Sequence, residues 1–272
     1  MVAQIQELDA CYWVKTRSSL DPQESSFLMW IGKIYAFIPN EKQKLLFKIV
    51  GMNVSRCIPA PEESWNFTSR ELTYYLNPET EEILHKWENP WTGETVPVMH
   101  VANSPVQGHF QGKFPAIVDG DSTTFTFDIF PTYSNPLTQD SKLAKYSPQP
   151  TYQAAELFKI TVPTADLFNT QLSSVSQLKL SWDRIGQWLP WMNMGDRPGY
   201  LIYSAWGSKV SSFEDLPPLL KDEINTRVPL YKTAPKSFSD DVEDMTSWLY
   251  FQKNFQAYLA GERFPLPAAE EN

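Results

Sequence analysis

Leu72-Thr-Tyr-Tyr-Leu76, Ile83-Leu-His-Lys-Trp87 and Thr95-Val-Pro-Val-Met-His-Val101 are three short runs of strand-like sequence, punctuated by Asn77-Pro78 and Asn89-Pro90. Pro fixes φ and has no N–H to give to a ladder, while Asn tolerates unusual backbone angles, so each Asn-Pro pair sets a chain reversal. The three runs therefore read as neighbouring antiparallel strands of a meander. This stretch speaks to architecture; no residue pattern in it names a reaction.

The same reading extends outward. Residues 27–38 form an apolar run broken at Gly32, and it stops at the turn signal Pro39-Asn40-Glu41. Residues 45–58 follow as a second long strand, which completes a hairpin. Phe125, Phe127 and Ile129 alternate with Thr124, Thr126 and Asp128, a period of two. Residues 131–150, rich in Pro, Ser and Thr, read as a long surface loop or lid. Three further strands are expected at 152–162, 175–183 and 200–210.

Helical signals come late. From Ser212 a capped helix is expected with its prolines in the first turn. Residues 244–259 carry Trp248, Phe251, Phe255 and Leu259 at helical spacing, and Gly261 stops them. The tail after Phe264 reads as frayed. Eight to ten strands in hairpin order must solve the problem of their edges, and closure solves it most completely. The expectation is one mainly β domain over residues 1–272: a closed or nearly closed antiparallel barrel, lipocalin-like, with a helical segment at 212–261. An open, helix-backed sheet is the alternative.

Composition narrows the function. Ten Trp and 14% aromatic residues in 272 are more than a plain core requires, and rings line apolar pockets as readily as they fill interiors. A net charge of −9 without a basic cluster argues against nucleic acid and against an anionic membrane surface. No run reaches the roughly 20 apolar residues of a membrane-spanning helix. The start, Met1-Val-Ala-Gln-Ile-Gln-Glu-Leu, has neither the basic nor the apolar region of an export signal. Cys11 and Cys57 make no metal or redox spacing, so a cytoplasmic setting is expected. Gly-rich phosphate loops, nucleophile elbows and paired CxxC motifs are missing from the sequence, so no cofactor is expected.

Acid–base chemistry without a cofactor needs no such motif. The histidines are His85, His100 and His109. Tight pairing around Asn103-Ser104-Pro105-Val106 would set His100 opposite His109, and with Asp128 they would make a transition-metal set. The plainer reading is three satisfied histidines on a sheet surface; a single His100 acting as acid or base lies between. Asp128, Glu156 and Asp183 each sit in a strand beside apolar residues, and any of them pointing into a ring-lined barrel would have its pKa raised. By alternation Asp128 is exposed if the Phe face is core. Residues 182–199 gather Trp182, Trp188, Trp191, two Met and the pair Asp196-Arg197, with Arg184 similarly placed. Such rings cap a barrel end or wall a cavity, and Asp196 and Arg197 either brace the turn or touch substrate.

At these residues the chain resembles a known group. Trp87-Glu-Asn-Pro-Trp-Thr-Gly-Glu94, Val98-Met-His-Val101, Trp188-Leu-Pro-Trp-Met-Asn-Met-Gly-Asp-Arg-Pro-Gly199 and Phe213-Glu-Asp-Leu-Pro217 are similar to an uncharacterised bacterial and fungal family, domain of unknown function 1838. The similarity runs from Trp30 to Phe251. It implies no activity, catalytic residue or cofactor. Some members carry export signals, so the resemblance implies no location either.

The leading expectation is a cofactor-independent isomerase, cyclase, hydratase or lyase acting on a small apolar or aromatic molecule inside the barrel. His100 would be the acid or base, oriented by Asp128 or His109. Tyr74, Trp87, Trp188 and Trp191 would form walls, and Arg197, beside Asp196, would neutralise a carboxylate or enolate on the substrate. The rivals are a lipocalin-like carrier or chromophore-handling protein with no convergent ionisable pair, and a metal-dependent enzyme using His100 and His109.

Overall fold

The computed structural model describes residues 4–267; the first residues of the chain's start and the last five of its tail lie outside them. Within that span the chain opens with strand β1 (Gln4–Asp9) and helix α1 (Ala10–Arg17). Three long strands follow, β2 (Ser26–Phe37), β3 (Lys44–Ala60) and β4 (Ser64–Leu76). Then come β5 (Lys86–Glu88), β6 (Thr95–Pro97), β7 (Val101–Phe110), β8 (Lys113–Asp119), β9 (Ser122–Ile129) and β10 (Thr132–Ser134). The second half holds β11 (Thr151–Pro163), α2 (Thr164–Phe168), β12 (Lys179–Gly186), β13 (Tyr200–Val210), α3 (Pro218–Thr226) and α4 (Ser247–Leu259).

Eleven of these strands form one antiparallel sheet. Its order is β1-β8-β9-β11-β12-β13-β2-β3-β4-β7, with β10 added to β11. The sheet curls through 232° into a half-barrel that is open rather than closed. This corrects the expected closure: β1 and β7 are free edges. The reason lies at the turn between β7 and β8, where Gly112 takes a φ of +75° and β8 leaves to pair with β1 and β9 instead of folding back on β7. Aromatic packing does part of what closure would do. Trp13 of α1 stacks on Phe114 at 5.6 Å and meets Phe110 and Phe125 edge-on, which ties both sides of the opening to one ring. Helix α4 packs on β7, where Pro105, lacking an N–H, is tolerated because the strand is an edge.

The expected hairpin at 27–58 is present as β2 and β3, turned through Asn40 at a φ of 66°. The meander survives only in part. Leu72–Leu76 is the end of the long β4, Ile83 makes a single bridge to Leu76, and β5 and β6 pair in a separate two-stranded sheet. The segment around Ser104-Pro105 does not reverse: it continues as one extended strand. The expected loop at 131–150 is a packed segment. Leu137 and Leu143 are buried, and the Asn135 amide donates to the Ser147 and Gln149 carbonyls. On α4 the buried stripe is Trp248, Phe251, Phe255 and Tyr258, while Leu259 is exposed. Phe264 of the tail is buried, held where Arg227 Nη2 donates to the carbonyls on either side of it.

Alternation assigns the faces. On β4, Arg70, Leu72 and Tyr74 point outward beneath α3 and α4, whereas Glu71, Thr73 and Tyr75 point inward. The interior is solid at both ends. Leu8, Phe125, Ile160, Val162 and Leu178 fill one end under α1 and α2. Phe47, Tyr75, Trp87 and Trp191 fill the other, with ring centroids 5.4–6.0 Å apart.

Candidate functional site

Between the two packed ends the half-barrel is hollow. The cavity measures about 380 Å³, a volume suited to one small organic molecule. Its apolar walls are rings brought inward by period-two alternation: Trp30 on β2, Phe127 on β9, Phe158 on β11 and Trp182 on β12. Phe158 and Trp182, paired across strands, lie 6° from parallel, and Trp182 meets Trp30 edge-on at 6.3 Å. Trp30 has room because Gly51 lies beneath it: a Cβ there would sit 2.3 Å from the indole nitrogen. Ile129 and Gln107 stand at the rim, and Trp13 and Phe110 close the α1 side.

Four charged side chains enter this ring-lined space, in two sets. The first is a row across the ladder: Glu156, Arg184 and Tyr203 occupy directly opposed positions on β11, β12 and β13. Arg184 Nε lies 3.6 Å from Glu156 Oε1, Nη2 donates to the Tyr152 hydroxyl at 2.5 Å, and the guanidinium lies 5.0 Å from the Tyr203 ring centre. Trp182 Nε1 donates to the other Glu156 oxygen at 3.2 Å. Burial opposes the Arg184 charge, but Tyr152, Glu156 and Tyr203 more than offset it and raise its pKa well above the ordinary value. Burial also pushes the Tyr203 hydroxyl up to about 12, despite Arg184 and a hydrogen bond from Tyr75.

The second set is Arg17 with Glu71. Arg17 ends α1 and lies 5.1 Å from the Phe67 ring centre. Glu71 Oε1 accepts from Asn53 Nδ2 at 3.2 Å. Burial raises the Glu71 carboxyl above its ordinary pKa, Arg17 opposes this, and Glu156 and Asp244 add to it. Burial lowers the Arg17 pKa, with Glu71 opposing.

The residues singled out from sequence lie elsewhere. His100 is fully buried, its Nδ1 accepting the Tyr75 backbone N–H at 3.1 Å. Burial, then the neighbouring His85, drive its pKa down to about 3; the Leu84 carbonyl favours the charged form but stands outside hydrogen-bonding geometry to the unbonded Nε2. His109 is on the surface, 3.4 Å from Asp240 and against the Phe238 ring. Nine steps of nearly extended chain, roughly 30 Å, carry His109 away from His100, so the two imidazoles do not meet. Asp128 faces out because the Phe125–Phe127 face is the inner one, and Asp183 is exposed as well. Tyr74 is buried on the outer face near Glu223 and Tyr250. Trp87 and Trp191 belong to the solid end of the barrel, while Asp196 is exposed on its turn. Trp188 donates its indole N–H to the Arg197 carbonyl at 2.9 Å, and the Arg197 side chain reaches Glu41 at 4.0 Å and the Trp91 ring. Among the residues raised from sequence, Glu156, Arg184 and Trp182 do line the cavity. Arg17, Glu71 and Trp13 were missed; an acid between Arg70 and Leu72 on an otherwise regular strand was the one available signal.

The two Trp-Pro motifs clasp one another at the solid end. Asn89 is fully buried, donating to the Met192 carbonyl at 3.0 Å and accepting from the Trp91 and Thr92 backbone, while Asn193 donates to Glu94 at 2.6 Å. Gly199, at a φ of +128°, packs where a Cβ would lie 2.8 Å from Trp188 and from the Phe37 carbonyl.

Fold and site together define an open antiparallel half-barrel with a ring-lined, charge-bearing internal chamber. The pattern of the family described as "Protein of unknown function (DUF1838)" matches residues 23–255, and the chain belongs to that family. A comparison with curated proteins returned no match. Among the described residues no helix is long and apolar enough to cross a membrane, and no three His, Cys, Asp or Glu side chains cluster as metal ligands would.

Proposed function

We propose that this protein is a cofactor-independent acid–base enzyme acting on a small apolar or aromatic molecule held in the chamber, by isomerisation, cyclisation, hydration or elimination. One observation carries the reading: two carboxyl groups in unlike surroundings face the same ring-lined hollow. Glu71, buried and pushed up, keeps its proton to higher pH than an ordinary carboxyl and is the acid. Glu156, beside Arg184 and Trp182, is the proton acceptor. Arg184 and the Tyr203 hydroxyl supply fixed dipoles for negative charge that develops on the substrate, in a space where rings limit water.

The second reading, a non-catalytic carrier of lipocalin-like shape, draws support from how far Glu156 and Arg184 are already engaged by protein groups, with Trp182 on one, Tyr152 on the other and 3.6 Å between them. Shape alone does not choose between them. The test starts with native mass spectrometry of protein purified from its own cells, to identify a co-purifying molecule. The enzyme reading expects the wild type to transform that compound and Glu71→Gln to bind it without turnover. Return of the compound unchanged by both proteins, with equal affinity, would establish the carrier instead.

Residence in the cytoplasm is part of the same proposal. It rests on two free thiols, of which Cys57 is buried and pushed by that burial to about 12, an unreactive state that suits a reducing compartment.

A further inference from the structure

We infer that the molecule the chamber takes is a monoanion, an aromatic or apolar compound bearing one carboxylate, sulfonate or enolate that seats against Arg17. The inference rests on the chamber being a binding site, and it adds the charge of the occupant and the side chain that reads it.

The two guanidinium groups in the chamber are not equivalent. Arg184 Nε makes no hydrogen bond among the described residues, but a carboxylate stands 3.6 Å from it, and Tyr152 and Tyr203 engage the rest of the group. Arg17 has a ring on one side, and its Nη1 is buried with no hydrogen-bond partner among the described residues. A buried guanidinium N–H without an acceptor is unfavourable, so an acceptor supplied from the chamber would be bound firmly. Glu71, the carboxyl nearest in effect to Arg17, already accepts from Asn53. Glu156 stands against Arg184, whereas Arg17 has no ion pair of its own among the described residues of the chamber and only the raised Glu71 carboxyl near it, so one anionic group on the occupant is what Arg17 lacks.

A second orphan points the same way. Asn103 is only 4% exposed, lines the chamber from β7, donates to Ser247, and leaves its Oδ1 without a partner. That oxygen suits an O–H or N–H on the occupant, so the fitting class is an aromatic acid with one further polar donor.

Charge balance makes binding depend on pH. The groups facing Glu71 are Arg17 from α1, Asn53 from β3, Glu156 from β11 and Asp244 ahead of α4; Lys209 on β13 stands beyond Arg17. Deprotonation of Glu71 supplies Arg17 with an internal counter-charge and repels an anion. Anion affinity therefore falls as pH rises through the Glu71 transition, and binding takes up a proton in that range.

Two dyes with one scaffold test this: anilinonaphthalene sulfonate, an anion, and phenylnaphthylamine, its neutral counterpart. Titration of the full chain, followed by dye and Trp fluorescence, should give at least about tenfold tighter binding of the sulfonate. Arg17→Gln should erase that preference while leaving the neutral dye bound, and Arg17→Lys should restore part of it. Glu71→Gln, an independent variant, should keep the preference and remove its pH dependence. Equal binding of both dyes to wild type and Arg17→Gln would overturn the inference and leave the chamber reading standing. Failure of both dyes to bind would overturn the chamber reading itself.

Discussion

Glu156 on β11 and Arg184 on β12 stand directly opposite each other in the ladder, and their side chains meet at 3.6 Å inside the half-barrel. Tyr203 continues the row on β13. A charged pair kept at the inner face of a sheet depends on hydrogen bonds as well as on its partner, and here Tyr152 accepts from Arg184 Nη2 and Trp182 donates to Glu156, while Arg184 Nε has only the Glu156 charge. Arg184→Ala should therefore destabilise the protein by about 3 kcal/mol, because it leaves Glu156 without its partner in a ring-lined space. Urea unfolding of Arg184→Ala and of the double variant with Glu156→Gln checks this: the double variant should recover part of the loss.

Gly51 governs how much of the chamber is empty. A Cβ at this position collides with the Trp30 indole, so Gly51→Ala should drive the ring into the hollow. The expected cost in stability is about 1–3 kcal/mol, with dye affinity reduced for the anionic and neutral scaffolds alike. Unchanged affinity for both would place the binding region away from Trp30.

The solid end behaves as core. Trp191 is fully buried against Phe47, Tyr75 and Trp87, and its carbonyl accepts from the Tyr258 hydroxyl at 3.1 Å. Trp191→Ala should lower stability by roughly 3–5 kcal/mol and leave the preference between the two dyes intact. A lost preference with unchanged stability would return Trp191 to the ligand's walls.

His100 gives an acid signature. Its folded pKa of about 3 lies below the ordinary value of 6.5, so the neutral imidazole contributes stability that is complete above about pH 6.5 and is lost as pH falls toward 3. Stability measured across that window should drop more steeply in wild type than in His100→Gln, which keeps an acceptor for the Tyr75 N–H. Parallel curves would show that the buried imidazole does not govern this transition.

Much of the sheet was legible in the chain, and the reasons are local. Pairing of β2 with β3 follows from two long apolar runs around Pro39-Asn40, and alternation set Asp128 on the face opposite Phe125, Phe127 and Ile129 without deciding which face was the inner one. Glu71 escaped because alternation along β4 puts it on one face with Thr73 and Tyr75 but does not say that this face is the inner one. Arg17 and Trp13 escaped for a different reason. Helix α1 is short and weakly patterned, so its seat across the opening is set by tertiary packing on β1, β7 and β8. The rings at 188–192 were rightly read as unfavourable to expose, but a sequence does not distinguish a ring that meets other rings from one that borders a void. His100 illustrates this on a smaller scale: its neighbours Met99 and Val101 signal burial, and nothing in them signals that its partner is a backbone amide.

The most direct test of a proton held at Glu71 beside Arg17 is the carboxyl carbon signal of Glu71, followed by NMR through a pH titration and assigned by its loss in Glu71→Gln. A midpoint above 4.5 in the empty protein, moving higher when the sulfonate dye is bound, is the result expected here. A midpoint at or below 4.5 that the dye does not move would contradict the account.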